Sequence, residues 1–391
     1  MKTIDKIPLS VPNISGNELK YIQEAISESW VSTAGPTING FENKIAEYVG
    51  SEGAVAVQSG TAGLHLSLLA LGLNANEIVL VPSLTFIASI NPIKYVGAEP
   101  IFLDVDKSLC IDNNSLKNFI SSQCEWDGET LKFSSSNQKV SGLVYVHVFG
   151  NTGALLETIS IAKKYNLFVL EDATEALGSR FNKGEKDGSF LGTLGDIGVY
   201  SFNGNKIITT GGGGMVVSDN QEYLRKIRYL SAQAKDNPLT FQHDEIGFNY
   251  RMTNLQAAMG IAQLERLEEF ISTKRENYEL YKQLFNDVDG MKILDFNDDL
   301  RPNYWFYSLL TNKDNIEDLI TLVYKLEENN ISVRPIWQLN HSQKPYEHSF
   351  SMPMIGSSFY YHRVLNLPCS SNLKREQVVY VVRRILECNY G

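Results

Sequence analysis

The chain has 391 residues, 43% of them apolar, and a formal net charge of −10; it can bury a large core, most naturally as one large domain with a smaller one. The acidic balance argues against nucleic acid or an anionic membrane surface as partner, and no apolar stretch reaches the roughly 20 residues of a membrane-spanning helix. The start Met1-Lys-Thr-Ile-Asp-Lys6 does not read as a signal peptide and the cysteines lack C-x-x-C spacing, so a soluble cytoplasmic enzyme without zinc knuckle or disulfide framework is the expectation.

Short apolar runs alternate with helical stretches, and no repeat at solenoid spacing interrupts them. Residues 54–58 read as a strand and 61–71 as a helix. Between them, Ser59-Gly-Thr-Ala-Gly63 leaves the first amides of the helix uncovered. That makes either an anion site at a helix N-terminus or an ordinary tight turn. It fits neither G-x-G-x-x-G nor a triphosphate loop, so dinucleotide and kinase readings are weak. Strands follow at 78–82 and 100–104. Phe86, just past the first of these, either stacks on a flat aromatic ring or packs in the core.

The strand at 141–149 carries His147, read as a hydrogen-bonded structural residue rather than a base. The next, at 167–171, runs into Asp172. A carboxylate there suits the carboxyl edge of a parallel sheet, where it could hold a pyridine nitrogen, cap a helix, or join Asp104 and Asp106 around magnesium. A β-rich run at 196–202 ends in Ser201-Phe-Asn-Gly-Asn-Lys206, followed by Ile-Ile-Thr-Thr-Gly-Gly-Gly-Gly214. A lone lysine is usually solvated, but these neighbours are not surface-helix composition, and backbone this rich in glycine can crowd a bound cofactor. One lysine, one acid and one phosphate cradle, to which the Ser201 hydroxyl adds, are the parts a pyridoxal phosphate enzyme needs.

Gly247-Phe-Asn-Tyr-Arg251-Met-Thr-Asn254 offers Asn249 and Arg251 to an anion across a subunit interface, or Thr253 or Asn254 as a helix N-cap, or both. Residues 264–285 then read as a long charged amphipathic helix bridging two domains. On this reading residues 1–265 form the large domain and 266–391 a smaller α+β unit. The first 25 or so residues could pack on that smaller unit. Strands alternating with helices imply an α/β fold with a mostly parallel sheet covered on both faces.

Taken in order, these segments resemble the sugar aminotransferases of the DegT/DnrJ/EryC1/StrS family, pyridoxal phosphate enzymes of fold type I. The resemblance spans nearly the whole chain, from Trp30-Val-Ser-Thr-Ala-Gly35 and Phe41-Glu42 to Val333-Arg-Pro-Ile-Trp337 followed by His341. It implies a large domain with a mostly parallel seven-stranded sheet between helices, and a smaller C-terminal α+β domain. It also implies that Lys206 carries the cofactor and shuttles protons, that Asp172 pairs with the pyridine nitrogen, and that Phe86 stacks on the ring. Gly60, Thr61 and Ser201, with Ala62 beside them, would hold the phosphate. Glu175 stands where many members carry histidine or glutamine near the ring hydroxyl. Asn249 and Arg251 would come from the partner of a homodimer. Ser32, Thr33, Arg334 and His341 are the candidates for substrate contacts.

Two features narrow the resemblance. Gly211-Gly-Gly-Gly214 replaces the more usual Gly-Glu-Gly-Gly and, with Glu175, resembles the branch that aminates UDP-linked 4-keto-6-deoxy-2-acetamido sugars for bacterial surface glycans. An intact Lys206 separates the chain from dehydratase offshoots that carry histidine there. The implied reaction moves the amino group of L-glutamate to the C4 ketone of a nucleotide-linked sugar. Amination at C3, a TDP- or GDP-linked substrate, and a binding protein without turnover are the alternatives.

Overall fold

The computed structural model of the protein describes residues 5–237 and 239–390. Seven strands form the main path of its large sheet. They are β1 (Ala54–Val57), β2 (Ile78–Pro82), β3 (Glu99–Leu103), β4 (Gln138–Val146), β5 (Phe168–Asp172), β6 (Ile197–Ser201) and β7 (Gly214–Val217). Their spatial order is β1-β7-β6-β5-β4-β2-β3. Only β7 runs antiparallel to its neighbours, and a hairpin of Cys124–Trp126 with Leu131–Phe133 extends the sheet from β4. The fold type is the one the sequence implies: helices cover both faces, so the strands are apolar on both. In β2, Ile78 and Leu80 enter one core cluster while Val79 and Val81 enter the other, all at 1% exposure or less.

Three local expectations needed correction. The run at 141–149 stops being a strand at Val146, because Val148–Gly150 turns as a short 3-10 segment with Phe149 at φ 57°. The helix read over 264–285 begins three residues later, at Leu267, because Arg266 takes φ −112° and separates it from the preceding helix Asn254–Leu264. The glycine run after Lys206 leads straight into β7, a strand the apolar pattern did not single out.

The four short strands Lys292–Ile293, Tyr307–Leu310, Val364–Leu367 and Arg334–Pro335 make a second, antiparallel sheet. Helices Ile316–Glu328 and Arg375–Tyr390 accompany it. The amino-terminal segment reaches this unit through a parallel bridge of Ile7 with Ile331, and Leu9 O accepts from Cys369 N at 2.8 Å. Helix Glu18–Ser27 instead lies against Asn254–Leu264. No helix among the described residues is long and apolar enough to cross a membrane.

Candidate active site

With six strands parallel and β7 reversed, the ends of β1, β2, β4, β5 and β6 and the start of β7 all open on one edge. A cavity of about 560 Å³ lies there, where open α/β sheets place their ligands.

Past β1, Ser59 caps helix Gly60–Ala70 by accepting from Ala62 N at 3.1 Å. The first-turn amides have no partner inside their own helix, and the helix dipole favours an anion there. The turn is too tight for side chains. A Cβ on Gly60 would sit 2.9 Å from Thr174 Cγ2 and 3.1 Å from Ser201 Cβ, and one on Gly214 would sit 2.8 Å from Gly60 N. The first residue of β7 is glycine because it packs on the backbone of this turn.

Asp172 ends β5 at 2% exposure. Its Oδ2 accepts from Ser89 Oγ at 2.6 Å and its Oδ1 from Thr174 N at 3.1 Å. Glu175, one turn on, accepts from Phe149 N at 2.8 Å, and its Oε1 lies 3.5 Å from Lys206 Nζ. Burial pushes the Glu175 carboxyl up to about 7, against the pull of the Lys206 charge. Lys206 itself is 13% exposed and sits in the β6–β7 loop, its Nζ 4.1 Å from the centroid of the Trp305 ring.

The structure gathers Gly60, Thr61, Phe86, Asp172, Glu175, Ser201, Lys206 and Arg334 around this one cavity. Phe86 is 53% exposed at its rim, 6.5 Å from Trp337 between ring centroids. Arg334 Nη1 donates to Glu327 Oε1 at 2.8 Å. Ala62 lies just behind the wall, buried in the helix it helps to cap. Ser32 and Thr33 are outside the cavity; Ser32 O accepts from Asn254 N at 2.7 Å. His341 is outside too, with Nδ1 2.7 Å from Ser83 Oγ and its pKa lowered by burial.

Within one chain Asn249 and Arg251 are likewise not at the cavity. Arg251 Nη1 donates to Glu42 Oε1 at 3.0 Å, and Arg228 Nη2 donates to the other oxygen at 2.8 Å. Thr253 is the cap of the following helix, in a capping box with Gln256. His147, fully buried, pairs with Glu171 at 2.7 Å behind the site. Sequence reasoning did not find Ser89, Thr174, Trp305 or Trp337. Ser89 and Trp305 carry no local motif; only the path of the chain brings them here.

A lysine, a fixed acid and an uncovered helix N-terminus in one cavity match the aldehyde, ring nitrogen and phosphate of pyridoxal phosphate. Comparison with known proteins agrees. The chain is 36% identical to the GDP-perosamine synthase of Escherichia coli O157:H7, over 97% of this chain and 98% of that protein. It is 27% identical to a UDP-4-amino-4,6-dideoxy-N-acetyl-beta-L-altrosamine transaminase of Campylobacter jejuni, over 96% and 95% of the two chains. The solved structure of DesI, crystallised with its TDP-sugar product, superposes with a TM-score of 0.86 at 26% identity, covering 100% of this chain and 95% of that one. Residues 12–386 match the DegT/DnrJ/EryC1/StrS aminotransferase family. With that match over nearly its full length, the chain belongs to this family of pyridoxal phosphate-dependent sugar aminotransferases.

Proposed function

We propose that the protein transfers the amino group of L-glutamate to the ketone of a GDP-linked keto sugar, for the synthesis of a bacterial surface glycan. The observation that carries the reading is the meeting of Lys206, Asp172 and the Ser59–Thr61 turn in one cavity. Greater likeness to GDP-perosamine synthase than to the UDP-linked altrosamine enzyme supports the GDP form. A second reading, a UDP-linked 4-keto-6-deoxy-2-acetamido sugar aminated at C4, is favoured by the glycine run 211–214 and by Glu175.

Lys206 would carry the cofactor, the amides of Gly60 and Thr61 with the Ser201 hydroxyl would hold its phosphate, and Asp172 would face its ring nitrogen. When bound, pyridoxal phosphate supplies the electron sink for breaking bonds at the amine-bearing carbon. Lys206 Nζ takes the Cα proton of L-glutamate in the first half of the cycle. In the second half it delivers a proton to the former ketone carbon of the sugar. Asp172 orients the ring, and Phe86 shields its exposed face from water. Arg334, at the rim, offers charge to the diphosphate of the sugar nucleotide.

A second copy of the chain would complete the site, with Asn249 at the shared boundary. The exposure of Leu239 (88%), Phe241 (70%) and Ile246 (88%) in the adjoining segment supports this, since apolar surface of that kind marks an interface.

Visible absorbance tests the proposal in two steps. L-Glutamate should bleach the band of the lysine-bound cofactor, and a GDP-linked 4-keto sugar should restore it. Restoration by the UDP-linked acetamido sugar alone would select the second reading. Bleaching that no nucleotide-linked ketone reverses would overturn both.

A further inference from the structure

Lys206 Nζ has a ring face on one side and a carboxylate on another, 4.1 Å from the Trp305 centroid and 3.5 Å from Glu175 Oε1. Trp305 is tied down at three points. Its indole N–H donates to Asn205 O at 2.7 Å, its backbone N–H donates to Asn303 Oδ1 at 3.0 Å, and its carbonyl accepts from Lys274 Nζ at 3.2 Å. Asn303, fully buried, also donates to the carbonyl of Glu175 at 2.8 Å. One side chain thus fixes the backbone on both sides of the Lys206 amine.

Two left-handed residues serve the same arrangement. Tyr304, at φ 54°, turns the chain immediately before Trp305. Phe149, at φ 57°, aims its N–H at Glu175 Oε2. Non-glycine residues hold such backbone angles only where the surroundings enforce them, and they cluster at functional sites.

We propose that Trp305 is a positioning residue for Lys206. With Glu175 it cradles the ammonium that forms when Lys206 Nζ takes the Cα proton of L-glutamate. The inference rests on Lys206 being the residue that carries the cofactor. In that step the Cα–H bond breaks and Nζ gains the N–H bond; pyridoxal phosphate, when bound, would supply the sink for the electron pair left on Cα. A ring face and a carboxylate, both shielded from water, lower the energy of the ammonium. They also keep Nζ beside the reacting atoms until it returns the proton.

Trp305→Phe keeps a ring face and Trp305→Leu removes it, which separates this role from filling space. With Cα-deuterated and ordinary L-glutamate, Trp305→Leu should bleach the visible band about tenfold more slowly than the unsubstituted protein. Its isotope effect should be larger, and Trp305→Phe should recover most of the rate. In the cofactor-free protein, acylation of Lys206 read by peptide mass spectrometry should be several-fold faster in Trp305→Leu than in Trp305→Phe, because no ring face then covers Nζ. An unchanged rate and isotope effect in Trp305→Leu, or a Trp305→Phe variant equally impaired, would overturn the role of Trp305. A visible band that survives Lys206→Ala would instead remove the cofactor assignment, and this inference with it.

Discussion

Ser89 Oγ donates to Asp172 Oδ2 at 2.6 Å, between two side chains that are 4% and 2% exposed. The acid assigned to the ring nitrogen is therefore held from behind by a hydroxyl on the loop after β2, itself 3.0 Å from Thr85 Oγ1. Ser89→Ala leaves one buried carboxylate oxygen without its donor. The expected loss is about 1–3 kcal/mol of folding stability, with weaker cofactor binding. Urea unfolding and titration of the visible band measure the two effects. No change in either would mean that water replaces the hydroxyl at no cost.

Glu175 should make the cofactor-free protein sensitive to pH. Burial raises its carboxyl from 4.5 to about 7, with Lys206 pulling the other way. The folded chain therefore keeps this proton to higher pH than the unfolded chain. The resulting stability is complete below the ordinary glutamate range and is lost as pH rises through about 7. Glu175→Gln, which cannot titrate, should flatten the dependence of the melting midpoint on pH across that window. An identical slope in both proteins would show that Glu175 does not carry it.

At the acid end Glu171 acts with the opposite sign. Burial alone would raise its pKa, but the His147 hydrogen bond and charge, with the amides of Gly195 and Gly192, hold it below the usual range. Its contribution is present above the ordinary glutamate pKa and fades as pH falls through the depressed value. Glu171→Ala strands His147 together with the amides of Gly192, Leu194 and Gly195, which all donate to this carboxylate. A loss of about 3–5 kcal/mol is expected from uncovering so many buried partners. Denaturant unfolding would show it, and a loss below about 1 kcal/mol would show that these buried partners do not depend on the carboxylate.

Assembly offers a test of the shared boundary. For the proposed dimer, charging the apolar segment with Phe241→Asp and Ile246→Asp should shift light scattering from the mass of two copies to that of one. It should also weaken retention of the cofactor. Dimers that persist with both substitutions would place the interface elsewhere.

Local patterns made much of the fold legible. Alternating apolar runs located six of the seven strands on the main sheet path, and the small residues at 59–63 marked the helix N-terminus that faces the cavity. The composition around Lys206 set it apart from solvated lysines. The pattern failed where a single backbone angle intervened: at Phe149, which ends β4 early, and at Arg266, which delays the long helix to Leu267. Apolar periodicity records which face of an element is buried, and one residue that turns the chain leaves that record unchanged.

What the sequence determined by itself was therefore the order of elements and the residues available at strand ends: a small-residue turn opening a helix, an acid at Asp172 and a lysine in a glycine-rich loop. The tertiary structure alone decided which distant side chains meet them. It set Ser89 behind Asp172, brought Trp305 from the second unit onto Lys206, and paired Arg251 with Glu42. Such contacts follow from strand order and from left-handed turns such as Tyr304. Both are fixed by packing across the whole chain, at a range that no local residue pattern reaches.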